Sequence, residues 1–188
     1  MYQSAIYAFL KFDQGFFPRI VKVLTPQKED RILEIGCSRG ILVKKMQATT
    51  PGTYGIDINA KAILNGVARN LKVMDASALE FPDASFDKIY SRHTIEHIPN
   101  LKSAFHEMAR VLKKGGRIFL AYPAEPIRGL LAIPAALVLF KNPRSIHLHK
   151  LSPKRIVEEF IPGTGLKHIQ SKPSFFSSPQ YFTLLEKE

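Results

Sequence analysis

Residues 31–40 read RILEIGCSRG, and ILVKKMQ follows directly. Arg31 to Ile35 is a short apolar run of strand type, and ILVKKMQ has the character of a helix. Between them the backbone must turn tightly through Gly36 and Gly40. A strand that ends in such a turn and feeds a helix carries backbone N–H groups and the positive end of the helix toward a ligand. Gly-x-x-x-Gly is also an ordinary strand–helix connection, so its meaning depends on its surroundings.

Working outward, the same alternation repeats. Tyr54 to Ile58 predicts a second strand, and Asn59 is a natural N-cap for a helix behind it. Leu71 to Met74 predicts a third strand ending at Asp75, Phe86 to Tyr90 a fourth, and Arg117 to Ala121 a fifth. Leu101, Ala104, Phe105, Met108, Ala109 and Leu112 recur at helical spacing, with Asn100 as the cap and Gly115-Gly116 as the stop. Strands alternating with helices in this way imply a doubly wound, mostly parallel sheet. Asp57 and Asp75 then fall at carboxyl ends of strands, where open parallel sheets bind ligands. An acid about 20 residues past a glycine turn is placed to accept hydrogen bonds from ribose hydroxyls.

The flanks are less regular. Ile20, Val23 and Leu24 have helical spacing, with Pro18 expected to break the run that precedes them. The stretch 127–140 is apolar apart from Arg128, and is too short for a bilayer span of about 20 residues. With Lys141 and Arg144 beside it, it reads as a buried helix, a lid or a membrane-surface element, and 127–144 is the candidate for peripheral membrane contact. Ser152-Pro153 opens a helix with Ile156, Val157 and Phe160 inward. Runs around Lys167–Gln170 and Tyr181–Leu185 predict a closing antiparallel hairpin. The expected organisation is a single domain over 1–188: a helical cap (1–30), a ligand-binding core (31–122), an apolar insert or lid (123–150) and a terminal helix with hairpin (151–188), with about seven strands in all.

Composition narrows the partners. Lys and Arg number 27 against 16 Asp and Glu, a formal charge of +11 that favours anions, yet the basic residues form no block and no nucleic-acid motif. Cys37 is the sole cysteine, so no intramolecular disulfide forms. With no signal-peptide pattern at the N-terminus, the expected compartment is the cytoplasm, peripheral to the membrane if 127–144 rests on lipid.

Several segments taken in order resemble the motifs of class I S-adenosylmethionine-dependent methyltransferases: LEIGCSRG (33–40), GIDI (55–58), VMDA (73–76) with LEFP (79–82) and SFD (85–87), and RVLKKGGRIFL (110–120). The type is the small-molecule one grouped with ubiquinone and menaquinone biosynthesis methyltransferases. The resemblance is strong over 31–122, weaker around HKLSP (149–153) and poor at both ends. It implies a Rossmann-like α/β fold, S-adenosyl-L-methionine as cofactor with S-adenosyl-L-homocysteine as product, and in-line methyl transfer to a small-molecule or lipid-like acceptor. By that resemblance Gly36, Cys37, Ser38 and Gly40 hold the methionine end of the cofactor, with Glu34 beneath. Asp57 binds the ribose diol, Ile58 packs on the adenine, and Asp75 accepts from the adenine amino group beside the Ala76 N–H. Ser91 and Arg92 offer backbone carbonyls to the cofactor's amino group. The family often has glycine where Ser38 stands, and serine pays a steric cost at positive φ.

Residues 93–97 read HTIEH, the H-x-x-E-H pattern of one class of zinc peptidases. That chemistry needs a helix presenting His93 and His97 on one face. Here the pattern follows a strand directly and Pro99 disfavours helix at Ile98, so no metal is expected. The resemblance instead turns His93 to the acceptor, with Glu96 and His97 fixing the turn or orienting His93. Methyl transfer chiefly needs alignment and exclusion of water, and a base only when the nucleophile is protonated. His93 is the first candidate base, His149 the second, and Tyr122 a residue lining the pocket; Arg92, Arg128, Lys141 and Arg144 are candidates to attract an anionic acceptor. The rivals are a non-catalytic cofactor-binding protein of the same fold, a zinc hydrolase, and a nicotinamide oxidoreductase. The last lacks its G-x-G-x-x-G.

Overall fold

A computed structural model describes residues 15–124, 147–174 and 179–188. Helix α1 (Phe16–Leu24) leads to β1 (Ile32–Ile35), α2 (Ile41–Gln47), β2 (Thr53–Asp57), α3 (Ala60–Leu64), β3 (Leu71–Val73) and β4 (Phe86–Arg92). A single 3₁₀ turn (Ile95–His97), α4 (Leu101–Val111) and β5 (Leu112–Pro123) follow. The chain then runs from α5 (Pro153–Arg155), through a π-helical turn (Ile156–Phe160), into β6 (Leu166–Ser174) and β7 (Gln180–Lys187).

The strands form one seven-stranded sheet in the order β3-β2-β1-β4-β5-β7-β6. β1 to β5 are mutually parallel, and β7 lies antiparallel between β5 and β6, so the expected hairpin closes the sheet. The strand order reverses between β1 and β4, and a sheet of this kind opens a ligand crevice at the carboxyl ends there.

Period-two alternation divides the apolar side chains between two faces. Ile32, Tyr90, Phe119, Ala121, Phe182 and Leu184 pack under α1 and α2. Leu33, Ile35, Ile89, Ile118, Leu120 and Leu185 pack under α4 and the π-helical turn.

Some local expectations hold and others shift. Asn59 caps α3, its side chain accepting from Ala62 N–H, and Ser152 caps α5 through Arg155 N–H with Pro153 in the first turn. Asn100 holds the cap position of α4 but its side chain makes no capping bond. Pro18 lies inside the first turn of α1 instead of ending a helix, which its missing N–H permits there. Helix α4 stops at Val111, before the glycine pair, because Leu112 is already extended and paired with Phe86 of β4. The chain bulges through 113–116, with Gly115 at φ +72°, and the ladder resumes at Arg117 opposite Lys88. The aromatic run before residue 15 and the apolar stretch 127–140, with Arg128, Lys141 and Arg144, lie outside the described residues. Among the described residues no helix is long and apolar enough to cross a membrane.

Candidate active site

The turn after β1 is made by backbone. Gly36, Ser38 and Gly40 all take positive φ, at +75°, +50° and +76°. Ser38 thus adopts the left-handed conformation despite its side chain. Gly36 and Cys37 both donate N–H to the Ile56 carbonyl, at 2.8 and 2.9 Å, which fixes the turn to β2. Asp57 then holds it from the side: Ser38 N–H donates to Oδ2 at 2.7 Å and Asn59 N–H to Oδ1 at 2.9 Å. Beneath the turn Glu34 is buried and accepts from the Tyr90 hydroxyl at 3.0 Å. Burial, then the charge of Glu34 and its hydrogen bond, push the Tyr90 phenol well above its ordinary range. Cys37 is buried as well. Burial, followed by the nearby charges of Glu34 and Asp57, raises its thiol far above the usual value, so it packs as an apolar side chain and not as a nucleophile.

The acids and the apolar platform expected along this edge sit together. Ile58 follows β2 and is 71% exposed, so its side chain is open to contact from outside the fold. Asp75 is exposed past β3, its Oδ1 accepting from both Ser77 N–H and Ser77 Oγ at 2.8 Å, and Ala76 is buried beside it. The loop bearing Asp75 is tied down by Arg110, which donates to the carbonyls of Leu79 and Phe81 and to Glu107 and Asp83. Glu107 in turn accepts from Leu79 N–H at 2.7 Å.

The turn after β4 lies across the crevice. Ser91 Oγ donates to the Ile35 carbonyl, binding β4 to the end of β1, and the Arg92 guanidinium lies over the Phe16 ring at 4.9 Å. The Arg92 carbonyl, expected to face a ligand, already accepts from Thr94 Oγ1 at 3.1 Å. His93 takes φ +49° and donates its N–H to the Ala121 carbonyl of β5. Thr94 lies directly over the glycine turn: a Cβ at Gly36 would stand 2.1 Å from Thr94 Oγ1. Sequence reasoning missed this residue, although it lay inside the HTIEH motif.

The helix that a zinc peptidase needs does not form. His93 precedes the 3₁₀ turn in a left-handed conformation, so it does not share a helical face with His97. What gathers instead is Glu96, His97 and His147, whose ligand-type atoms lie within 4.8 Å of one another. Glu96 is 1% exposed, and among the described residues neither carboxylate oxygen has a hydrogen-bond partner. His93 Nδ1 stands 3.5 Å from its Oε1 and His97 Nε2 4.0 Å away. His147, fifty residues downstream by number, carried no sequence signal for this approach.

Two further candidates make firm contacts within the fold. His149 donates from Nε2 to the Ile98 carbonyl at 2.8 Å and from its backbone N–H to the Glu96 carbonyl. It pins the turn, and its ring stands edge-on to Phe160. Tyr122 is fully buried and shares a 2.7 Å hydrogen bond with Thr183 Oγ1. Burial raises its phenol pKa, with the Thr183 bond only partly offsetting it, so Tyr122 packs the core below the rim.

A family model described as a methyltransferase domain matches residues 9–171. A ubiquinone biosynthesis O-methyltransferase of Chelativorans sp. (strain BNC1) is 29% identical over 161 residues, covering 80% of this chain and 64% of that protein. A phosphatidylethanolamine N-methyltransferase of Cereibacter sphaeroides is 28% identical, covering 62% of this chain and 63% of that protein. The chain therefore spans just under two thirds of the length of either relative. Among solved structures, an S-adenosylmethionine-dependent methyltransferase of Methanosarcina mazei superposes with a TM-score of 0.70 at 21% identity, covering 89% of this chain and 96% of that one.

Proposed function

The chain belongs to this family of methyltransferase domains, and on that premise we propose that it moves a methyl group from S-adenosylmethionine to a small-molecule or lipid-like acceptor. The observation that carries the proposal is the Asp57 latch, which ties down the turn 36–40, with positive φ at Gly36, Ser38 and Gly40, at the carboxyl end of the sheet beside exposed Ile58. A carboxylate has about four lone-pair sites. With one backbone bond to each oxygen, Asp57 retains capacity for a ribose diol.

In this reading Gly36 to Gly40 receive the methionine end, with Cys37 as packing and Glu34 held beneath by Tyr90. Ile58 covers the adenine, and Asp75 with the Ala76 N–H meets its amino group. The carbonyls of Ser91 and Arg92 close the far side. Bound S-adenosylmethionine supplies an already activated methyl group. The chain's own work is to align the acceptor and exclude water, effects worth about 7–11 kcal/mol when fully realised. For a hydroxyl acceptor His93 takes the proton.

The names of the relatives support an oxygen or nitrogen acceptor on a small or lipid-like molecule. The net charge of +11 suits one that carries negative charge. Acceptor choice is placed in the sequence between β5 and α5, where the apolar run is flanked by Arg128, Lys141 and Arg144.

Calorimetric titration of the protein with S-adenosylmethionine and S-adenosylhomocysteine tests the reading, alongside Asp57→Ala. Binding of both that weakens at least tenfold in the variant supports it. Folded protein that binds neither would sink it.

A further inference from the structure

A buried carboxylate with no partner on either oxygen is rare, because the lost hydration must be offset by something. Glu96 is such a group among the described residues, and three histidine side chains stand near it. His93 approaches from the end of β4, His97 from the same turn, and His147 from the segment ahead of α5. His149 adds only its backbone N–H, to the Glu96 carbonyl. His93 Nδ1 stands 3.5 Å from Oε1, closer than His97 Nε2 at 4.0 Å, and His93 sits at the crevice with its backbone fixed to β5 by the bond to Ala121. His97 is farther, more exposed, and turned edge-on to the His147 ring at 4.9 Å. His93 also holds a left-handed conformation that costs a non-glycine residue energy, and such strain collects where a side chain must be aimed.

We propose that Glu96 is a positioning residue for His93: its carboxylate accepts from Nδ1–H and so holds the tautomer whose Nε2 is free to take a proton. The proposal rests on the function given above. In the step it serves, the acceptor oxygen bonds to the methyl carbon and the methyl–sulfur bond breaks with its electron pair left on sulfur. The O–H proton passes to Nε2 of His93. The resulting imidazolium then faces the Glu96 charge, which stabilises it, as a carboxylate behind a catalytic histidine does. The 3.5 Å separation is longer than a formed hydrogen bond; such contacts tighten when substrate is bound.

The test reads the histidine directly and needs no acceptor. Long-range ¹H–¹⁵N spectra of the full chain, ¹⁵N-labelled at histidine, report which ring nitrogen carries the proton; His93→Gln assigns the signal. At pH 8 the wild type should show His93 as the Nδ1–H tautomer. Glu96→Gln should switch it to Nε2–H, and Glu96→Asp should keep Nδ1–H. His97→Gln should leave it unchanged. A merely structural role for Glu96 predicts no tautomer switch. An Nε2–H tautomer in the wild type overturns the proposal, even if Glu96→Gln fails to fold. So does an unchanged tautomer in folded Glu96→Gln. Zinc chloride that shifts the His97 and His147 signals while leaving His93 unmoved also overturns it, by giving the carboxylate to a cation. Calorimetry with S-adenosylmethionine on the same samples separates the two ideas. Loss of binding in the wild type would count against the function, whereas intact binding with the wrong tautomer would count against Glu96 alone.

Discussion

The turns after β1 and β4 stand side by side at the carboxyl ends of neighbouring strands, and they are held in opposite ways. In the first, Asp57 has backbone N–H donors on both oxygens, and the backbone hydrogen bonds that shape the turn all lie between Gly36 and Asn59. In the second, buried Glu96 accepts no hydrogen bond from the described residues and has the imidazoles of His93 and His97 at 3.5 and 4.0 Å, and the turn is joined by Ala121, His147 and His149 from elsewhere in the chain. A turn built from its own backbone arrives preformed. One built around a buried carboxyl group that lacks hydrogen bonds is completed by what is placed against it. That contrast suits a shared ligand on one side and a particular acceptor on the other.

The largest effect should come from joining the two turns by force. Gly36→Ala puts a methyl group into Thr94 at a strained φ, and should cost about 3 kcal/mol in urea unfolding and abolish cofactor binding. Adding Thr94→Ala removes Oγ1 and Cγ2 from the clash and should recover part of that loss; no recovery would mean that φ alone decides. Next, Asp57→Ala should weaken S-adenosylmethionine by at least tenfold, roughly 1.4 kcal/mol, in calorimetry. Glu96→Gln should barely change that affinity, and an equal loss in both variants would erase the distinction between the turns.

A smaller effect should follow pH. The hydrogen bonds from Arg110, with that from Leu79 N–H, hold Glu107 below its ordinary pKa despite partial burial. A depressed carboxylate contributes stability that is complete above its unfolded value, about 4.5, and is lost as pH falls through the lower folded value. The urea midpoint of Glu107→Gln should therefore lie below that of the wild type at pH 7, and the two should converge under acid. Asp87 behaves alike. Burial pushes its pKa up, but bonds from Lys113 and Arg31 N–H and the charges of Lys113 and Lys88 bring it down overall. The smallest change is His149→Ala, which loses one ring hydrogen bond to Ile98 and should cost about 1 kcal/mol by the same measurement.

The first turn was legible in the sequence because its logic is local. The glycines, the acid after the next strand and the Asn59 cap lie within one strand–helix–strand unit, and each is a residue type that its geometry demands. The terminal hairpin and the Ser152-Pro153 helix start were legible for the same reason. The second turn was not. Nothing in HTIEH announces that His147 will reach Glu96, that His149 will spend its ring on Ile98, or that Tyr122 will face Thr183, since these meetings depend on how distant segments pack. Helix α4 ended early for a related reason: pairing of Leu112 with Phe86 outweighed the helical periodicity that included Leu112.

The sheet order carries a consequence for synthesis. β6 pairs only with β7, and β7, the later of the two, fills the place beside β5. On a ribosome β6 therefore emerges before the strand that it pairs with in the finished sheet. Meanwhile the Phe119 side of β5 waits without Phe182, the ring that will stack on it. Until residues 180–187 appear, the nascent chain displays an apolar, unpaired strand edge of the kind that recruits chaperones or neighbouring chains. Folding of the whole sheet is thus timed by its last strand.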